Sequence, residues 1–192
     1  MDFFESAYTG TPPWDIGRPQ AEFVALEEGG EISGSVLDIG CGTGEHTLFL
    51  SSRGHEAWGI DAVPAAIEKA KEKAAERNVP ARFMVFDALR LSALGRQFDT
   101  AIDSGFFHTL SDTDRPVFAS ELGKTLRPGG KYFMLCFSEN EPPGYGPRRV
   151  TRQEIQDTFQ EGWVINSIKP AVFESRYRKE GPRAWLSSIS KN

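Results

Sequence analysis

The stretch Val36-Leu37-Asp38-Ile39-Gly40-Cys41-Gly42-Thr43-Gly44, followed by Glu45-His46-Thr47-Leu48-Phe49-Leu50, constrains the fold more than any other part of the chain. Val36, Leu37 and Ile39 are strand formers. Three glycines at alternate positions permit backbone angles and close approaches that a β-carbon blocks. A helix opening straight after such a turn points free backbone N–H groups at whatever lies above it, so the stretch reads as strand, small-molecule cradle and helix. Its spacing is G-x-G-x-G with Asp38 two residues ahead, whereas the dinucleotide fingerprint is G-x-G-x-x-G. A carboxylate is repelled by a pyrophosphate and stabilised by a cationic amino-acid group. The turn therefore suits a nucleoside that carries a positively charged tail and no phosphate.

Strands and helices alternate around this turn. The pattern predicts strands over 34–39, 54–61, 81–86, 98–103 and 131–137, and two more near 163–173 and 183–189. Helices are expected over 45–53 and 64–77, from Ser111 or Asp112 to about Leu126, and from a Thr151–Glu154 capping box through Phe159. Pro64 opens its helix, with Ala65, Ile67, Ala70 and Ala74 as the buried stripe. The third strand alternates little, so it is expected to be buried on both faces. Arg127-Pro128-Gly129-Gly130 is a stop before the fifth strand, and the proline- and glycine-rich residues 139–149 form a loop. Residues 1–33 form a helical cap: Phe3, Phe4 and Tyr8 on a short helix, a loop through Trp14 and Arg18, then an amphipathic helix over 20–28. Such alternation predicts an α/β fold with a mostly parallel sheet, helices on both faces and one domain over 1–192. Ligands of such sheets bind at the carboxyl ends of the strands, where Asp38, Asp61, Asp87 and Asp103 stand.

Composition excludes several partners. A formal charge of −5 argues against nucleic acid, which needs clustered Lys and Arg. Lys69, Lys71 and Lys73 are interleaved with Glu68, Glu72 and Glu76 as a solvated helix face. Cys41 and Cys136 make neither a disulfide framework nor a metal-ligand set, and Cys41 stands where the turn needs a small residue. No apolar run is long enough to span a membrane, and the first residues are not those of a signal peptide. The expectation is a soluble cytoplasmic protein without metal, membrane or nucleic-acid partner, acting as a monomer or weak homodimer.

The strand-end residues carry the chemistry. Asp61, 21 residues beyond Gly40, stands where an acid accepts hydrogen bonds from both hydroxyls of a ribose, and it can also cap the helix that follows. Asp87 with Ala88 and Leu89 suits an adenine pocket, or serves as a strand-end turn residue. Trp14 and Arg18, on a loop stiffened by prolines, either close over a ligand or plug the rim of the core. His108 is the histidine placed to act as a general base, or else it is a core or helix-start residue. Phe106, Phe107 and Tyr145 would form an apolar acceptor wall. Arg148 with Arg149 either attracts an anionic acceptor or is a solvated loop pair. S-adenosylmethionine is the nucleoside with a cationic tail that fits the turn.

Residues 36–44, Asp61, Asp87-Ala88, Phe98-Asp99-Thr100-Ala101-Ile102-Asp103 and Leu126-Arg127-Pro128-Gly129-Gly130 together resemble the class I S-adenosylmethionine-dependent methyltransferases over nearly the whole chain. The resemblance implies a Rossmann-like sheet of seven strands with the last antiparallel. It places Asp38, Gly40 and Gly44 at the methionine part of the cofactor and Asp61 at the ribose, with Cys41, Gly42, Thr43 and Ala62 also among the cofactor-binding residues. Asp87, Ala88 and Leu89 fall at the adenine, and Asp103 and Ser104 near the sulfonium. Pro12-Pro13-Trp14-Asp15-Ile16-Gly17-Arg18-Pro19 is similar to the opening of the thiopurine, halide/thiol and tellurite-resistance type enzymes, which implies that Trp14 and Arg18 belong to a lid. No acceptor-specific residue set accompanies it. The favoured acceptor is a thiol, chalcogen, halide or heteroaromatic, with a quinone- or phenol-like O- or N-acceptor as the alternative. A cofactor-binding protein without catalysis is a third reading.

Overall fold

Adjacent residues of one strand point to opposite sides, and this split organises the molecule. The computed structural model describes residues 3–144 and 146–192. β1 (Ser35–Ile39) is buried along its whole length. Val36 enters a cluster with Phe23, Leu50, Ile102, Phe133 and Leu135 on one side. Leu37 and Ile39 enter a larger cluster on the other side with Ala101, Phe107, Phe118, Leu122, Tyr132 and Ile155.

The remaining strands are β2 (Glu56–Asp61), β3 (Arg82–Val85), β4 (Phe98–Ser104), β5 (Leu126–Phe137), β6 (Trp163–Val172) and β7 (Arg183–Lys191). They form one seven-stranded sheet in the order β3-β2-β1-β4-β5-β7-β6. β1 to β5 pair in parallel. β7 is antiparallel and slots between β5 and β6. The helices are α1 (Phe3–Ala7), α2 (Ala21–Glu28), α3 (Glu45–Ser52), α4 (Pro64–Glu76), α5 (Asp114–Thr125) and α6 (Arg152–Thr158). α2 and α3 supply Phe23 and Leu50 to the smaller cluster, and α5 and α6 supply Phe118, Leu122 and Ile155 to the larger. The expected Rossmann-like architecture, with helices on both faces of a mostly parallel sheet, is present.

Local expectations fare unevenly. The capping box forms: Thr151 Oγ1 accepts from the Glu154 N–H at 3.1 Å, and Glu154 accepts from the Thr151 N–H at 2.7 Å. Ser111 Oγ accepts from the Asp114 N–H at 3.1 Å and so caps the start of α5. Three readings are corrected. β3 is the edge strand, not one buried on both faces, and leaves Met84 and Val85 exposed. α4 buries Ala66, Ile67 and Ala70, while Ala65 is exposed and Ala74 half-buried, because the helix meets the sheet one residue around from the expected stripe. β5 begins at Leu126: the Arg127-Pro128-Gly129-Gly130 stop does not end pairing, and the ladder to β4 passes it as a bulge between Phe98 and Thr100. A 3-10 helix at Ala88–Leu94 was not anticipated.

Phe118 is fully buried in contact with the rings of Phe106, Phe107 and Tyr132. Phe118→Ala is expected to cost about 3–5 kcal/mol in urea unfolding. Thr151→Ala, which removes one cap, should cost about 1 kcal/mol. A Phe118→Ala cost below that of Thr151→Ala would contradict the assignment of the core to the face of the sheet covered by α5.

Candidate active site

The register of three strands builds the centre of the site. Ile39 pairs with Ile60 on one side and with Asp103 on the other. One residue further along, Gly40, Asp61 and Ser104 therefore stand side by side at the carboxyl edge. Here the sheet order departs from β1 in both directions, the place where open α/β sheets bind ligands. Gly40, Gly42 and Gly44 have φ of 67°, 55° and 85°. A β-carbon on Gly40 would stand 2.9 Å from Phe106 Cβ, so the glycine turn and the turn after β4 touch only because Gly40 has no side chain. Asp61 ties this region together, its Oδ2 accepting from the Gly42 N–H and its Oδ1 from the Val63 N–H, each at 2.9 Å. Cys41 is buried and its N–H donates to Ile60 O at 2.9 Å. Thr43 Oγ1 donates to Asp15 at 2.8 Å and accepts from Lys73 at 2.7 Å.

Asp38 is 1% exposed, and its Oδ2 accepts from the Thr47 hydroxyl at 2.6 Å and the Thr47 N–H at 3.2 Å. Burial pushes its carboxyl up to about 7 against those two donors, and the charges of Asp103 and Asp61 add to the rise. Asp103 is fully buried and holds the turn after β4: it accepts from the Phe106 N–H at 2.6 Å, the Phe107 N–H at 2.8 Å and the Tyr132 hydroxyl at 2.8 Å. Burial raises it to about 7 as well, and burial also raises Asp61. None of the three makes an ion pair among the described residues. Three mutually repelling carboxyls in a low dielectric favour a cationic ligand. This set of carboxyls fits a ligand with the ammonium and sulfonium charges of S-adenosylmethionine.

The N-terminal segment packs on this turn. Tyr8 is buried against Val63 and Ala66 of α4, and a β-carbon on Gly42 would lie 2.8 Å from its hydroxyl. Trp14 meets the rings of Phe4 and Tyr8 edge-on, and its Nε1–H donates to the Tyr8 hydroxyl at 3.2 Å. Lys69 donates to Tyr8 O at 2.7 Å and Gly10 O at 3.0 Å. A cleft of about 550 Å³ lies between this segment and α4, lined by Asp15, Thr43, Lys69 and Lys73 among others. Arg18 makes a two-pronged bond to Glu174, at 2.7 and 2.8 Å. Gln20 exchanges two hydrogen bonds with the Glu174 backbone, at 2.7 and 3.1 Å. The segment is thereby fastened to the chain beyond β6. Sequence reasoning missed Tyr8 as a turn contact and missed Glu174 altogether; no local signal marks a partner 156 residues away.

Asp87 Oδ1 accepts from the Leu89 N–H at 2.9 Å, an exposed turn at the start of the 3-10 helix, with Ala88 buried and Leu89 half-buried behind it. Ala62 is exposed and Ser104 half-buried. On the other flank of the glycine turn, Phe106 is half-buried against Gly40, whereas Phe107 is fully buried against Phe118 and Phe159 and belongs to the core. His108 is buried, with its ring on Phe137 at 4.9 Å and Phe173 at 5.8 Å between centroids. Burial, together with the nearby Arg149 and Arg115, holds its imidazole down to about 3, so the ring is neutral. Phe137 and Phe173 were not singled out by sequence, although they form the aromatic surround of His108. Arg149 stacks over Phe137 at 5.5 Å. Arg148 pairs with Asp112 at 2.6 Å and with Glu154, which ties it to α5 and α6. Tyr145 lies outside the described residues. Among the described residues no cluster of His, Cys, Asp and Glu could hold a metal, and no helix is long and apolar enough to cross a membrane.

The chain is similar to known proteins in sequence and fold. A family profile described as "Methyltransferase domain" matches residues 36–130. The chain is 38% identical over 182 residues to a 2-heptyl-1-hydroxyquinolin-4(1H)-one methyltransferase of Mycobacteroides abscessus, covering 89% of this chain and 80% of the relative. It is 30% identical over 151 residues to a probable thiol methyltransferase of Arabidopsis thaliana, covering 77% and 66%. A solved structure described as the conversion of a disulfide bond into a thioacetal group during echinomycin biosynthesis superposes with a TM-score of 0.89 at 36% identity, over 98% of this chain and 91% of that one. With the glycine turn, the ring of acids and the sheet order all in place, the chain belongs to the class I S-adenosylmethionine-dependent methyltransferases.

Proposed function

We propose that this methyltransferase acts on a small planar heteroaromatic acceptor and methylates an oxygen that ionises near neutral pH. The observation that carries the reading is the aromatic cluster around His108, beyond the turn after β4, where Phe137 and Phe173 pack on the imidazole and Arg149 stacks over Phe137. Aromatic faces with a cation at their rim suit a flat, conjugated, anionic molecule. The likeness to the hydroxyquinolone enzyme points the same way. A sulfur acceptor is the second reading, favoured by the likeness to the probable thiol methyltransferase.

Bound S-adenosylmethionine supplies a methyl group made electrophilic by its sulfonium. The chain's residues bind and orient. Asp61 takes the ribose hydroxyls with the lone pairs that Gly42 and Val63 leave over, and Asp87 with Ala88 and Leu89 receives the adenine. Asp38 and the turn from Gly40 to Gly44 face the methionine part. Asp103 acts through the backbone: by accepting from Phe106 and Phe107 it fixes the turn that separates donor from acceptor, with Ser104 at its edge. Trp14 and Arg18, on the segment fastened by Gln20 and Glu174, form a lid that excludes water. In-line displacement from a good leaving group needs chiefly such orientation and desolvation.

An acceptor panel with detection of S-adenosylhomocysteine tests the reading. Hydroxyquinolones are expected to exceed alkanethiols in kcat/KM by about tenfold or more, a margin typical of a site shaped for one acceptor class. The reverse order would establish the sulfur reading. Asp61→Asn should weaken S-adenosylmethionine binding by about tenfold or more, since charge-assisted bonds to the ribose are lost, while KM for the acceptor holds; unchanged cofactor affinity would contradict the placement. For the lid, proteolysis within residues 10–18 should slow markedly when S-adenosylmethionine is present. Equal cutting with and without cofactor would leave Trp14 and Arg18 as rim residues.

A further inference from the structure

The Nε2 atom of His108 makes no hydrogen bond among the described residues. His108 is 7% exposed, and its Nδ1 accepts the Phe137 backbone N–H at 3.1 Å. A ring nitrogen that accepts from an amide N–H carries no hydrogen of its own, so the neutral ring bears its hydrogen on Nε2. Nε2 borders the turn after β4: a β-carbon on Gly105 would stand 3.4 Å from Nε2, 3.4 Å from Cε1 and 3.6 Å from Phe173 Cζ. Gly105 has φ of 92° and no side chain, so no β-carbon of the turn stands against the Nε2 edge of His108. The next residue, Phe106, rests on Gly40, which sets this edge beside the cofactor turn.

We infer that His108 recognises the acceptor as a hydrogen-bond donor, its Nε2–H binding an oxygen of a conjugated acceptor that enters as its anion, and that it is not a general base. The inference rests on the heteroaromatic-oxygen reading above. A base at Nε2 would need that nitrogen bare, which would put the ring hydrogen on Nδ1, against the Phe137 N–H. The charged groups on the surrounding elements agree with a donor. Arg149, beyond β5, and Arg115, on α5, are cations that oppose protonation of the ring and favour an anion beside it. Glu154 on α6 offsets Arg115 through a bond of 2.9 Å. The proton of the acceptor passes to solvent before binding. A lone pair of its anionic oxygen then forms the bond to the methyl carbon, while the carbon–sulfur bond breaks and its electron pair returns to sulfur. Oxyanion and sulfonium both become neutral, and no proton passes through His108.

His108→Leu removes the donor and His108→Gln replaces it with an amide N–H. With a 1-hydroxyquinolin-4-one as acceptor, His108→Leu should raise KM about tenfold to a hundredfold, the effect of losing a hydrogen bond to a charged group. His108→Gln should recover most of that loss, and both variants should keep the wild-type S-adenosylmethionine affinity, while His108→Leu, which leaves the Phe137 N–H without its acceptor, should lower the melting temperature. The acid limb of the wild-type kcat/KM profile should follow the acceptor's own ionisation when ring substituents change it. Equal losses in kcat for Leu and Gln, with an acid limb that stays put across acceptors, would establish a base and overturn the inference. The tautomer is read independently by ¹⁵N NMR of the wild-type protein: hydrogen on Nε2 is expected, and hydrogen on Nδ1 overturns the donor role whatever the acceptor. Wild-type protein inert toward every hydroxylated heteroaromatic would instead overturn the functional reading and the acceptor half of this inference, leaving the tautomer to decide the histidine half.

Discussion

The structure depends on placing carboxylates where carboxylates are costly. Asp38 and Asp103 stand on adjacent strands, nearly without solvent, and each is held by backbone or hydroxyl donors rather than by a cation. Buried charge without a counter-charge is expensive, and the groups respond by holding their protons more tightly. Asp61 joins them from β2 and pins the glycine turn through Gly42. A cationic ligand at this ring would relieve that cost. The same three residues also build the scaffold: Thr47 opens α3 on Asp38, Val63 opens α4 on Asp61, and the turn after β4 closes on Asp103.

Charge then divides the site. The donor side is acidic. The acceptor side is aromatic, with Arg149 and Arg115 near a neutral His108. On the proposed reading, a cationic donor and an anionic acceptor would be drawn to opposite flanks of Gly40, which Phe106 approaches closely. The proposed lid is anchored beside this aromatic cluster, because Gln20 and Arg18 bind Glu174, the residue that directly follows Phe173.

Much of this was legible in the sequence where the cause is local. The Val36–Leu37–Ile39 strand, the glycine turn, the Thr151–Glu154 cap and the acids at the strand ends all announce themselves within a few residues. Failures came where tertiary context decides. The third strand, at 82–85, has a composition that fits a buried strand, yet it lies at the edge because nothing pairs beyond it. Leu126 joins the sheet ahead of a proline and two glycines because a bulge absorbs them. Phe106 and Phe107 are neighbours of like chemistry that both pack on Phe118, and only tertiary context leaves one half-buried against Gly40 and the other fully buried. The polarity of His108 is decided by one backbone N–H, that of Phe137, 29 residues away.

The central claim is that the ring of acids is a cation receptor, and proton linkage tests it most directly. Carboxyls raised to about 7 are partly protonated in the free protein at neutral pH, and a bound cation lowers them, so protons leave on binding. Isothermal titration of S-adenosylmethionine at pH 7, in buffers of different ionisation enthalpy, is predicted to show net proton release and an affinity that rises from pH 6 to pH 8. Binding enthalpies independent of buffer, or proton uptake on binding, would contradict the account.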